Sequence, residues 1–241
     1  MTKYIFDVDG TLTPSRQKIN KEFELWLKEW GSSNEFYLVT GSDRDKTVEQ
    51  LRTPLYNRAV KTYQCSGNDV WQRDQNISRK DIKLPQGLLA ELDKTLISSK
   101  FYIKTGGHID YRPGLVNFSI VGRRCNLEER AMYRQWDQHK NERRSIAHKL
   151  EEKFPSFNFQ IAGETGIDIT KKGSDKSQIL NDFDHNDVIY FFGDSCGYGG
   201  NDYEIAEAVK DRINSNQVGG SRVFEVKGWK HTWKILKELS E

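Results

Sequence analysis

The period of apolar and polar positions changes twice along this chain. Tyr4–Val8 is a short apolar run that reads as a first strand. Between Gln17 and Trp30, apolar Ile19, Phe23, Leu25, Trp26 and Trp30 recur at helical spacing. Phe36–Val39 is a second buried strand, and a helix begins just after it with Ser42 or Asp43 as its N-cap. Ala59–Gln64 is a third strand candidate, closed by a turn at Ser66–Asn68. Strands alternating with helices in this way require crossover connections and a parallel sheet.

From about Ile77 to Lys172 the strands instead alternate polar and apolar, as in antiparallel sheets with one wet face. His108–Arg112, the turn Pro113-Gly114 and Leu115–Arg123 form a hairpin pattern. A long helical stretch follows from Leu127 to about Phe154, opened by Asn126 with Glu129 three residues later, the spacing of a capping box. Phe157–Ile161 and Gly166–Thr170 supply another strand pair. The parallel pattern then returns, with Ser177–Phe183 helical, Val188–Phe192 a buried strand, Asn201–Val209 a helix, Arg222–Val226 a strand and Trp229–Leu239 a closing helix. The expected fold is α/β: a Rossmann-like parallel sheet core, residues 1–77 and 173–241, interrupted by an inserted α+β domain over 78–172 with an antiparallel sheet and helices.

Composition narrows the function classes. The 241 residues suffice for a core plus an insert. The mean hydropathy of -0.77 and the lack of any long apolar run exclude a membrane span. A net charge of +2 gives no general electrostatic case for nucleic acid. The three cysteines have no metal-ligand spacing, which suggests incidental thiols in a reducing, cytoplasmic setting.

The first strand delivers the candidate chemistry. Asp7 and Asp9 follow it directly, with Gly10 and Thr11 in the turn. Residues i and i+2 of a strand share a face, so the two carboxylates are expected to crowd each other. A hard divalent cation such as Mg²⁺ relieves that repulsion. Ligands of open parallel sheets bind beyond the strands' carboxyl ends. Thr40, Ser42, Lys176, Asp194 and Asp202 all fall near such ends or in the loops that follow them. Individually Thr40 and Ser42 could be caps, Lys176 a surface lysine and Gly193-Asp194 a turn. Their joint occurrence in this order argues for a site. In the inserted hairpin, pairing across Pro113-Gly114 puts His108, Asp110 and Arg112 on one face with Asn117, Ser119 and Arg123. Val116, Phe118 and Ile120 take the other face. Planar guanidiniums suit phosphate.

The order DxDGT, Thr/Ser, Lys, GD…D resembles the haloacid dehalogenase superfamily of aspartate-nucleophile phosphotransferases. Asp7–Arg16 (DVDGTLTPSR), Tyr111–Cys125 (YRPGLVNFSIVGRRC), Glu128–Arg130 and Phe191–Glu204 (FFGDSCGYGGNDYE) resemble the eukaryotic-type phosphomannomutases, in register over nearly the whole chain. The resemblance implies a haloacid dehalogenase fold in which the insert is a cap. It implies Asp7 as nucleophile and Asp9 as general acid and base, with Thr40 (or Ser42) and Lys176 holding the phosphoryl group. It further implies Mg²⁺ on Asp7, the Asp9 backbone carbonyl and Asp194, with Asp202 close by. Substrate contacts are implied at Arg16, Arg112, Asn117, Arg123, Arg130 and Asp168.

The implied reaction converts mannose 6-phosphate to mannose 1-phosphate, with a hexose 1,6-bisphosphate as activator and a homodimer formed through the cap. The expected partner is a small sugar phosphate, with neither nucleic acid nor membrane. The sequence departs from the family pattern at Gly166, where a hydroxyl is usual, and at Ala206 and Ala208, where oxygen ligands are usual. Val39–Ser42 reads VTGS where the mutases have GGS, which is closer to the sugar phosphatases of the superfamily. A magnesium-dependent sugar-phosphate phosphatase therefore stands as the alternative. A non-catalytic sugar-phosphate binder would be marked by loss of Asp7, Asp9, Lys176 or Asp194, and all four are present.

Overall fold

The computed structural model describes residues 2–214 and 220–240. Two compact units share the chain: Met1–Arg79 with Gly173–Glu241, and Lys80–Lys172. The first, the core unit, holds a seven-stranded sheet of order β11-β10-β1-β2-β3-β4-β5. Its parallel part comprises β1 (Thr2–Phe6), β2 (Phe36–Val39), β3 (Thr62–Gln64), β10 (Val188–Gly193) and β11 (Arg222–Glu225). β1 lies at the centre, with Phe6 level with both Phe192 and Leu38. A strand covered on both faces reads as a continuous apolar run, and Phe36–Val39 is buried at every position.

The helix α1 (Lys21–Trp30) forms because Phe23, Leu27 and Trp30 recur on one face, which is buried. Asn20 caps it by accepting from the amides of Glu22 and Phe23. Its aromatic side chains pack against Trp229 and Trp233 of α8 (Trp229–Glu238), whose tryptophans thus serve the core. On β2's carboxyl side, Asp43 caps α2 (Arg44–Leu51) by accepting from the Lys46 amide. The remaining core helices are the single turn α3 (Thr53–Tyr56) and α7 (Tyr203–Asn214).

The structure adds an antiparallel hairpin, β4 (Asp69–Gln72) and β5 (Gln75–Arg79), at the sheet edge. β5 is exposed along its whole length and polar, so it carries no apolar signal in the sequence. The first strand stops at Phe6 instead of Val8, which leaves Asp7 and Asp9 in the loop beyond it. Ser177–Phe183, expected as ordinary helix, is a 3₁₀ segment over Lys176–Asp182.

The second unit, the cap, is an antiparallel sheet of order β6-β7-β9-β8. Its strands are β6 (Ile109–Arg112), β7 (Leu115–Ser119), β8 (Phe157–Ala162) and β9 (Gly166–Lys171). Its helices are α4 (Gln86–Ser98), α5 (Leu127–Lys140) and α6 (Glu142–Lys153). The single stretch expected from Leu127 to Phe154 is thus two helices, broken at Asn141, which sits at φ 50° and ψ 35°. Asparagine tolerates this left-handed geometry better than most residues. The capping box of Asn126 and Glu129 is present in full. Val116, Phe118 and Ile120 pack with Tyr133, Ile146 and Leu150 in the cap core, as the hairpin parity requires.

Candidate active site

Asp7 is held at the end of β1 with its amide bonded to the Phe192 carbonyl of the neighbouring strand at 2.9 Å. Its carboxylate is buried, and Lys176 Nζ donates to Oδ1 at 2.5 Å. The same ammonium donates to Asp202 Oδ1 at 2.6 Å. Lys176 is buried at the start of the 3₁₀ segment, where an ordinary surface lysine would be solvated. Buried charges persist only when paired, and this lysine has two carboxylate partners, so it remains paired if either one is neutralised.

The balance is negative. Asp7, Asp194 and Asp202 each offer an oxygen within 4.8 Å of the others, against the single charge of Lys176. Burial, together with repulsion from Asp202 and Asp194, pushes the Asp7 carboxyl up to about 7 despite Lys176. Asp194 is raised as well, by its own partial burial and by Asp202. Lys176 is shifted upward, the two carboxylates outweighing its desolvation, so it keeps its proton. Asp7 Oδ2 is buried with no hydrogen-bond partner. An orphaned hard oxygen in an acid cluster with surplus negative charge fits a small divalent cation, Mg²⁺ by donor chemistry. Gly10, at φ +80°, makes this approach possible: a Cβ there would lie 2.4 Å from Asp194 Oδ2.

The Asp9 side chain does not join that cluster. It turns away, so the crowding expected between Asp7 and Asp9 is relieved by separate partners. Asp9 Oδ1 accepts from the Arg16 amide at 2.6 Å and from Gln50 Nε2 at 2.9 Å. Oδ2 accepts from Ser42 Oγ at 3.3 Å and lies 3.5 Å from Lys46 Nζ. Half-burial works to raise the Asp9 carboxyl, but these donors outweigh it and hold it below the ordinary carboxylate range.

Arg16 contributes its backbone here, while its side chain is exposed. Thr40 is buried, its Oγ1 accepting from the Ser42 amide at 3.1 Å. Sequence reasoning missed Lys46 and Gln50. They stand one helical turn apart on α2, and the signal available was this i, i+4 pair of long polar side chains after the Ser42-Asp43 cap.

In the cap, Asp110 pairs with Asn117 across β6 and β7, and Asn117 with Asp168 across β7 and β9. Asn117 Nδ2 donates to Asp168 Oδ1 at 2.6 Å. Arg112 Nε and Nη2 both donate to Asp110 Oδ2, at 3.1 and 3.0 Å, and Arg123 Nε lies 3.5 Å from the same oxygen. The structure therefore gathers Arg112, Asn117, Arg123 and Asp168 around one patch. Burial pushes the Asp168 carboxyl upward, although the Asn117 amide and the Arg112 and Arg123 guanidiniums oppose it. Arg130 is engaged elsewhere, with Nε on Glu164 Oε2 at 2.6 Å. Gly166 has a steric reason: a Cβ there would lie 2.4 Å from Asn117 Nδ2.

Residues 24–237 match the family model described as eukaryotic phosphomannomutase. A phosphomannomutase of Arabidopsis thaliana is 33% identical over 216 residues, covering 86% of this chain and 87% of that protein. Phosphomannomutase 1 of Homo sapiens is 32% identical over 213 residues, covering 83% and 81%. Among solved structures, a haloacid dehalogenase-like hydrolase from Bacteroides thetaiotaomicron has a TM-score of 0.59 at 11% identity over 99% of both chains. A sugar phosphatase of haloacid dehalogenase subclass IIB has a TM-score of 0.59 at 14% identity over 100% of this chain and 99% of that one. At such identities the solved structures establish the haloacid dehalogenase fold. By its family match and its curated relatives, the chain belongs to the eukaryotic phosphomannomutase family, a family of isomerases.

Proposed function

We propose that this protein interconverts mannose 6-phosphate and mannose 1-phosphate by way of an aspartyl phosphate on Asp7 and a hexose bisphosphate. The observation that carries the reading is the buried Asp7 carboxylate, pinned through one oxygen by Lys176 while its other oxygen has no protein partner. A carboxylate fixed but not fully engaged keeps a lone pair for phosphorus.

In the first transfer the substrate hydroxyl gives its proton to Asp9. Its oxygen bonds the phosphorus carried by Asp7, and the Asp7–phosphorus bond breaks. Held below the ordinary carboxylate range, Asp9 is ionised at the start of the cycle and so able to take that proton. The bisphosphate then reorients, and Asp7 attacks its other phosphorus. As that phosphorus–sugar oxygen bond breaks, Asp9 returns the proton to the leaving oxygen, so the enzyme ends as it began. Lys176 supports the Asp7 carboxylate and the phosphoryl group it receives, and Thr40, or Ser42 on releasing Asp9, would donate a hydroxyl to phosphoryl oxygens. Mg²⁺ held by Asp7, Asp194 and the Asp9 backbone carbonyl, with Asp202 behind them, would neutralise charge that otherwise repels the nucleophile. Arg112, Asn117, Arg123 and Asp168 form the receptor for the distal phosphate and the sugar, with Arg16 and Arg130 as further contacts. A hexose 1,6-bisphosphate primes the cycle by phosphorylating Asp7. We propose a homodimer formed through the cap.

The test supplies mannose 1-phosphate and Mg²⁺ with and without a hexose 1,6-bisphosphate. Hexose 6-phosphate whose formation depends on the bisphosphate is the expected product. Stoichiometric inorganic phosphate, indifferent to the bisphosphate, would overturn the mutase in favour of a phosphatase.

A further inference from the structure

The arginines of the cap patch are already occupied. Two cationic side chains, each partly exposed, are drawn to a single carboxylate oxygen of Asp110. Arg112 meets it through the edge formed by Nε and Nη2, and Arg123 approaches through Nε. A guanidinium offers five N–H groups along more than one edge. Among the described residues nothing hydrogen-bonds Nη1 of Arg112 or either Nη of Arg123. Guanidiniums brought this close repel one another and, left alone, would sample many rotamers. Asp110 opposes both tendencies from β6, where its place beside Asn117 is fixed by the strand register.

We propose that Asp110 is a positioning residue: it converges Arg112 and Arg123 so that their remaining N–H groups receive one phosphate of a sugar phosphate. The inference rests on the phosphate-receptor reading of the cap given above. Arg112 keeps Nη1 and Arg123 keeps both Nη groups for a ligand, so Asp110 can act as a prearranged scaffold while a phosphate binds the N–H groups it leaves open. Ordering two long side chains before binding removes that cost from the binding step.

The experiment measures steady-state kinetics with mannose 1-phosphate and a hexose 1,6-bisphosphate for the wild type and for Asp110→Ala, Asp110→Asn and Arg123→Ala. Asp110→Ala is expected to raise the KM values roughly tenfold with kcat little changed. Asp110→Asn keeps an acceptor oxygen without the charge, so it is expected to fall in between. Its near-identical shape also keeps the test available if the alanine variant does not fold. Arg123→Ala is expected to raise KM at least as far. If Arg123→Ala raises KM while both Asp110 variants leave it unchanged or lower it, the positioning role is overturned and the phosphate receptor survives. If Arg123→Ala leaves KM unchanged, the receptor itself is refuted, and the role of Asp110 with it.

Discussion

Asp7 and Asp9 stand two positions apart, yet the structure treats them as opposites. One is buried against a lysine and raised, and the other is wrapped in donors and lowered. Environments that separate two carboxyls in this way mark distinct chemical tasks. Asp7→Asn is therefore expected to abolish turnover while leaving the fold intact, read by the coupled assay alongside circular dichroism. Gln50→Leu removes a donor to a charged acceptor. Its expected effect is a fall in kcat of roughly tenfold or more with KM little altered. Gly166 makes a steric prediction, because Asn117 is buried and has little room to yield. Gly166→Ser should cost about 1–3 kcal/mol by overpacking, and Asn117→Ala in the same chain should recover part of that loss. Thermal melts of the two single variants and the double variant check the coupling.

At the scale of elements, the joint between α5 and α6 and the start of α5 are both set by asparagines. Replacing Asn126 with Ala removes the cap and should cost about 1 kcal/mol. A loss of that size lowers the melting temperature by about 2–4 °C in a domain of 150–250 residues, and more in a smaller one. Elements with strong apolar periodicity were legible in the sequence: β1, β2, β10, α1 and the cap hairpin all lie close to where their patterns put them. The hairpin parity that grouped Arg112 with Asn117 was legible for the same reason, since strand period is fixed by geometry. β5 was not, because an edge strand facing solvent is chosen by its neighbour's hydrogen bonds and not by apolar residues. The break at Asn141 was hidden because both flanking helices are polar enough to read as one. At the site, residue types and order revealed Asp7, Lys176, Asp194 and Asp202, whereas the separate fates of the Asp7 and Asp9 side chains depend on where β1 ends. That boundary differs by two residues from the apolar run.

At the scale of the whole molecule, the surplus of buried carboxylate ties stability to pH and to cations. Asp7 rises from 3.8 in the unfolded chain to about 7 in the folded one, so between those values the folded state binds more protons. Stability without a divalent cation should therefore fall as pH rises through that window. Added Mg²⁺ should raise the melting temperature more at pH 8 than at pH 5, since a cation gains most where the cluster is fully ionised. Differential scanning fluorimetry with EDTA or Mg²⁺ across pH 5–8 reads both effects, and equal Mg²⁺ shifts at the two ends would contradict this linkage.

The central position of β1 also bears on how the chain is made. Its partner on one side, β2, follows within the first 39 residues, but its other partner, β10, begins only at Val188. Lys176, which neutralises Asp7, and Asp202, which shares that lysine, also arrive late, the lysine 169 residues after the aspartate it holds. On a ribosome the opening strand must wait with one edge bare, while Lys80–Lys172, contiguous in sequence, can finish folding first. Asp7's companions thus close the core only after the intervening unit has been made, and a chain that stops before Lys176 would be left with an unpaired strand and an uncompensated acid.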